Sequence, residues 1–152
     1  MNKRYEIKKL AEFKKIVSDV FDWYEDNCNG EALVLALQGD LGAGKTAFTQ
    51  ELGKFLNIEE TINSPTFTIV KKYPTKGGLF DEMVHIDAYR IEDGSEVKPL
   101  KIEEMLLKSN TVLCIEWPEL IESIIPPSAV RIKIKITKNN TREVSVSQNS
   151  VK

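Results

Sequence analysis

The chain has 152 residues, 41% of them hydrophobic and 29% charged, which suits a single domain over 1–152 with a sizeable core. Its 21 basic and 23 acidic side chains leave a net charge of -2, too neutral to grip nucleic acid alone through phosphate neutralisation. Two distant cysteines, Cys28 and Cys114, exclude a disulfide framework or a CxxC zinc site, and no apolar run approaches the roughly 20 residues of a membrane helix. A reduced, cytoplasmic chain without membrane contact is expected, with any tRNA or DNA partner held by another subunit.

Residues 7–27 are predicted to be helical, because Leu10, Phe13, Val17, Val20, Phe21 and Tyr24 recur three or four apart. Asn29-Gly30 stops that helix. Residues 31–38 form an almost continuous apolar run, as expected of a strand buried on both faces. A glycine-rich turn follows at 39–44, then a helix over 45–56 with Phe48, Leu52 and Phe55 on one side. Asn63-Ser64-Pro65 signals a loop. Residues 66–73 are β-rich, 74–78 turn, and 82–87 make a short strand carrying Val84 and Ile86. A helical piece at 102–107 ends at Lys108-Ser109-Asn110. Residues 111–116 read as a second buried strand, with Cys114 as a small buried hydrophobe. Pro118 suits the first turn of a short helix. Residues 130–137 alternate apolar and basic and pair with 142–147 as a hairpin. Strands alternating with helices predict an α/β sandwich with a largely parallel central sheet and a C-terminal β-hairpin.

Gly39-Asp40-Leu41-Gly42-Ala43-Gly44-Lys45-Thr46 matches G-x-x-x-x-G-K-[ST] in full. In that pattern glycines let consecutive N–H groups converge on a phosphate, and the following helix adds its positive end. Lys45 then reaches the β- and γ-phosphates and the Thr46 hydroxyl ligates Mg²⁺. The predicted strand before the motif and helix after it supply the context the motif requires. This points to a nucleoside triphosphate with magnesium, in a P-loop NTPase three-layer sandwich.

Hydrolysis needs a second metal anchor and a group that orients water. Asp87 and Glu116 both end predicted buried strands, at the sheet edge where open α/β folds place ligands. Glu116 is the better Walker-B match, since Val112-Leu113-Cys114-Ile115 precede it directly. Ser64-Pro65-Thr66-Phe67-Thr68 occupies the place of a switch loop, with Thr66 or Thr68 as a further hydroxyl, although spacing alone favours a plain loop into a strand. His85, the sole histidine, reads as structural. Arg90 touches phosphate or pairs with Asp87. Trp117 belongs to the core or stacks on a base. Guanine is commonly read by an [NT]-K-x-D loop. Thr137-Lys138-Asn139-Asn140 lacks the Asp and falls in a hairpin, which favours ATP. The basic runs Lys71–Lys76 and Arg131, Lys133 and Lys135 read as solvated faces. A P-loop small-molecule kinase is the alternative reading. The absence of arginine between Lys101 and Pro118 argues against a kinase lid there.

The segments GDLGAGKT at 39–46, SPTFT at 64–68, HIDAYR at 85–90 and IEWPE at 115–119 occur in that order. Together they resemble the TsaE (YjeE) family, small bacterial ATPases of tRNA threonylcarbamoyladenosine synthesis. The resemblance implies TsaD and TsaB as partners, tRNA reached only through their complex, and an ATPase that sustains turnover rather than performing the transfer. It implies ATP and Mg²⁺ as cofactors. Phosphates would be held by the loop residues Asp40, Leu41, Gly42, Ala43 and Gly44 with Lys45, Thr46 and Ala47. The metal would be held by Thr46, Glu116 and Asp87, with Glu116, Asp87 and Lys45 as the catalytic set. Trp117 would lie by the nucleotide and Arg142 would approach it. Two departures stand out. Ala47 replaces a threonine whose hydroxyl often contacts the α-phosphate, and residues 96–102 lack the usual glutamate-rich, glycine-containing segment.

Overall fold

The computed structural model describes residues 1–27, 30–63 and 69–148. Its centre is built from the most apolar segments. Strand β2 (Leu33–Gln38) lies parallel to both β5 (Thr111–Glu116) and β6 (Val130–Ile136), and β4 (Glu82–Asp87) lies parallel to β5. Antiparallel strands flank this centre on both sides. Strand β3 (Val70–Pro74) pairs with β4, β7 (Arg142–Ser147) with β6, and β1 (Asn2–Ile7) with β7. The sheet therefore has seven strands in the order β1-β7-β6-β2-β5-β4-β3.

Alternation along the central strands divides the core between two faces. Leu33, Leu35 and Leu37, with Met83, Val112 and Cys114, pack against α1 (Phe13–Asn27) and α2 (Lys45–Phe55) through Phe13, Ile16, Val20, Phe48 and Leu52. Val34, Ala36, Val84, Ile86, Leu113 and Ile115 face the other way. They are covered by Ile91, Val97 and Ile121 from short 3₁₀ turns and loops, and by Ile102 and Met105 of the five-residue α3 (Ile102–Leu106). One outer layer is thus made of long helices and the other of short turns.

The helix expected over 7–27 begins only at Phe13, and a strand precedes it. Residues 2–6 carry no buried apolar face. Their strand is made by backbone pairing with β7 at the far end of the sequence, which no local pattern announces. The Glu12 carboxylate accepts from the Lys8 and Lys9 N–H groups at 2.6 and 2.8 Å and so fixes the turn ahead of α1. Leu10, expected on the helix's apolar face, is instead exposed. In the stretch expected to be extended from 66, β3 starts at Val70, and residues 64–68 lie outside the described residues, as do Cys28 and Asn29. The hairpin at 130–147 forms as expected. Thr137–Asn140 is its turn, closed by Thr137 N–H donating to the Thr141 carbonyl at 2.9 Å. Cys114 is fully buried, and burial pushes its thiol up to about 12. No helix among the described residues is long and apolar enough to cross a membrane.

Asp19 ties the unforeseen strand to α1. It accepts from the Tyr5 hydroxyl at 2.8 Å and from Lys15 Nζ at 2.6 Å. The Lys15 hydrogen bond, followed by that of Tyr5, holds this carboxyl below its ordinary value of 3.8. Its contribution is therefore fully present above that pH and lost as pH falls through the lower, folded value. Asp19→Asn is expected to cost on the order of 1–2 kcal/mol at neutral pH, measured by urea unfolding. The difference from the wild type should vanish in acid.

Candidate functional site

The parallel register brings three strand ends to one edge. Glu116 of β5 is the partner of Leu37 on β2 and of Asp87 on β4. Beyond Leu37 the chain runs through Gln38 into the glycine turn and then into α2, so the turn, Lys45, Asp87 and Glu116 share this edge. Ligands of open α/β sheets bind outside the carboxyl ends of the strands.

The turn needs its glycines for stated reasons. Gly42 and Gly44 have φ of 79° and 120°, where a side chain is strained. A Cβ on Gly39 would come within 2.7 Å of the Ile134 carbonyl oxygen. One on Gly44 would come within 3.2 Å of the Phe13 ring and 3.3 Å of Arg142 Nε. The Ala43 N–H donates to Asp40 O at 3.0 Å, and Phe48 N–H to Gly44 O at 2.9 Å, which starts α2. The first amides of α2 have no intrahelical acceptor, so the helix offers a positive pole to the edge. Gly44→Ala is expected to cost about 1–3 kcal/mol through backbone strain alone, seen as a lowered Tm.

Lys45 is the side chain on which the site turns. Only 6% of it is exposed. Its ammonium donates to the Gly39 and Asp40 carbonyls, the latter at 3.0 Å, and stands 4.4 Å from the Trp117 ring centroid. Burial pushes its pKa down, while the charges of Glu116, Asp87, Glu119 and Asp40 act against that shift. A buried cation held by neutral carbonyls and a ring face is chemically a receptor for an anion.

The acids have different surroundings. Glu116 is buried, and its Oε2 lies 2.6 Å from His85 Nε2. Asp87 is half-buried, and its Oδ1 accepts from the Tyr89 N–H at 3.0 Å. Thr46 and Ala47 lie half-buried in the first turn of α2, and Leu41 is exposed at the loop tip. Arg142, at the start of β7, reaches the loop itself, its Nε donating to the Ala43 carbonyl at 2.5 Å. Arg90 is exposed. Thr66 and Thr68 lie outside the described residues.

Two features escape a sequence reading. A residue before proline is expected in extended backbone, yet Trp117, before Pro118, has φ 57° and ψ 49°. That turn places the indole near the Lys45 ammonium and near the Tyr89 ring, whose centroid is 5.1 Å away. The other is His85, whose burial fits a structural histidine but whose partner is the acid at the edge. Its signal was available in outline, since a buried histidine must find a partner.

The arrangement joins a positive pole, made by the loop and Lys45, to a negative one, made by Asp87 and Glu116. Three residues of the basic runs have partners elsewhere. Lys76 pairs with Glu59 at 2.5 Å, Lys71 lies over the Tyr73 ring, and Arg131 pairs with Glu122.

Comparison with known proteins points to the same family as the sequence motifs. The family described as "Threonylcarbamoyl adenosine biosynthesis protein TsaE" matches residues 7–144. The tRNA threonylcarbamoyladenosine biosynthesis protein TsaE of Bacillus subtilis (strain 168) is 42% identical over 112 residues, which cover 74% of this chain and 67% of that one. Its counterpart in Rickettsia prowazekii (strain Madrid E) is 35% identical over 135 residues, covering 88% and 89%. Among solved structures, that of Bacillus subtilis YdiB is similar with a TM-score of 0.74 and 28% identity, over 97% of this chain and 86% of that one. The family match and these relatives agree: the chain belongs to the TsaE family.

Proposed function

We propose that the chain is a Mg²⁺-dependent P-loop ATPase that supports turnover of the TsaB–TsaD machinery making threonylcarbamoyladenosine beside the anticodon of tRNA. The observation that carries the reading is the buried Lys45 ammonium, set at the start of α2 and facing Asp87 and Glu116. The loop amides from Asp40 to Ala47 and the pole of α2 hold the phosphates. Lys45 exchanges the Gly39 and Asp40 carbonyls for phosphate oxygens, which restores the charge partner that burial denies it. Arg142 braces the loop through the Ala43 carbonyl. Trp117, whose ring centroid is 4.4 Å from the Lys45 ammonium, flanks the nucleotide.

The donors at this edge fit magnesium. Thr46, Asp87 and Glu116 offer only hard oxygens, and no cluster of three or more His, Cys, Asp or Glu forms a closed cage among the described residues. Mg²⁺ suits such an open set, because it keeps waters and takes the rest of its shell from one or two carboxylates and the phosphates. When bound, it would neutralise charge on the phosphate oxygens. Asp87 and Glu116 divide metal ligation and the orientation of water between them. The Thr137–Asn140 turn carries no acid for guanine, which supports ATP as the nucleotide. The reading places the chain in the cytoplasm, with tRNA reached through the partners.

The test is the fate of ATP labelled at the γ-phosphate, with Mg²⁺ present. Label released as inorganic phosphate supports an ATPase. Label transferred to a small hydroxyl compound instead would replace the reading with a kinase.

A further inference from the structure

Glu116 has been taken almost wholly out of water, with 3% of it exposed. A carboxylate so placed keeps its charge only when it is paired or hydrogen-bonded. His85 supplies that bond from β4, through Nε2 at 2.6 Å from Oε2. Alternation sets His85 and Asp87 on one face of β4, and Cys114 and Glu116 on the same side of β5, which is the side packed against α2.

The chemistry of the pair is constrained. A carboxylate oxygen accepts, so the histidine tautomer with its hydrogen on Nε2 is the one that bonds Oε2. Nδ1 is buried with no partner among the described residues, so the bond to Glu116 alone engages the polar edge of the ring. Oε2 is therefore committed to His85. Oε1 takes no hydrogen bond from the described residues, and the Lys45 ammonium feels the charge of this carboxylate. A buried polar pair is a poor source of stability compared with apolar packing. Its value here lies in geometry, because the bond fixes the direction of a side chain that would otherwise turn about its own torsions.

Resting on the Mg²⁺-ATP reading above, we infer that His85 is a positioning residue that clamps Oε2 of Glu116 and so presents Oε1 to the metal and phosphates, without touching the nucleotide itself. Groups that orient metal-binding side chains typically change metal affinity or activity by about 10–100-fold when removed.

The test is calorimetric titration of ATP into the wild type and two variants, in Mg²⁺ and in EDTA. His85→Gln keeps an amide donor near the place of Nε2, whereas the His85→Asn amide is too short to reach Glu116. For His85→Asn, affinity in Mg²⁺ is expected to fall about 10–100-fold while affinity in EDTA stays within about twofold. His85→Gln should recover most of the loss. In a Glu116→Gln background, His85→Asn should add nothing further, because the clamp has no charged group to aim. Equal losses in both buffers, identical behaviour of Asn and Gln, or full additivity with Glu116→Gln would overturn the inference. If His85→Asn does not fold, His85→Gln decides alone: it should keep Mg²⁺-dependent affinity within about threefold, and a loss of about tenfold or more would overturn the inference. A wild-type chain that binds no ATP in either buffer defeats the proposed function first, and this role with it.

Discussion

Replacing Lys45 by methionine should remove nucleotide binding while leaving the fold at least as stable. The ammonium is buried, and its partners in the free protein are two backbone carbonyls and a ring face. Methionine fills a similar volume without carrying a charge out of water. Hydrogen bonds to charged groups are worth about 1.5–3 kcal/mol each, so losing the phosphate contacts of Lys45 should weaken MgATP binding by about 100-fold or more. Thermal unfolding of the free chain should show an unchanged or raised Tm. A variant that melts well below the wild type yet binds ATP normally would show that Lys45 is a structural residue.

Glu116→Gln should separate metal-independent binding from turnover. Glutamine keeps the shape of the side chain, and its carbonyl oxygen can still accept from His85 Nε2. What disappears is the charge at the end of β5. Removing a group that ligates the metal or orients water is expected to slow phosphate release by about 10²–10⁴-fold. ATP affinity in Mg²⁺ should fall by about 10–100-fold, as for His85→Asn, and affinity in EDTA by less than about twofold, because the loop, α2 and Lys45 remain. Single-turnover release and calorimetry on the same preparation measure the two effects. Unchanged turnover would remove Glu116 from the chemistry and leave Asp87 as the acid that matters.

What could be read in the sequence was what local spacing determines. The glycine turn, its lysine and the helix after it sit within one short segment, and their geometry follows from residue types. The apolar runs of β2 and β5 signalled their double burial, and both are buried almost throughout. That Asp87 and Glu116 both end strands at the carboxyl edge was readable from the runs before them, but that the two strands are neighbours comes only from the sheet register. Long-range pairing was not legible. Strand β1 exists because β7 offers it a backbone edge, and its own side chains carry no strand pattern that decides the matter. The layer over the second face was read only in part: the helical piece at 102–107 and the short helix at Pro118 are there, but the 3₁₀ turns at Gly94–Glu96 and Lys98–Leu100 are too short for a periodic signal. Trp117 reverses a local rule, since tertiary contacts with Lys45 and Tyr89 accompany a backbone that the following proline disfavours. His85 was recognisable as a buried histidine, but its partner lies 31 residues away and emerges only from the sheet.

The measurement that bears most directly on the proposed function is the rate of phosphate release from ATP with Mg²⁺, for the chain alone and with purified TsaB and TsaD. Slow release alone, faster release with both partners and loss of the stimulated rate in Glu116→Gln is the predicted result. A rate that the partners leave unchanged, or release that persists without Glu116, would contradict it.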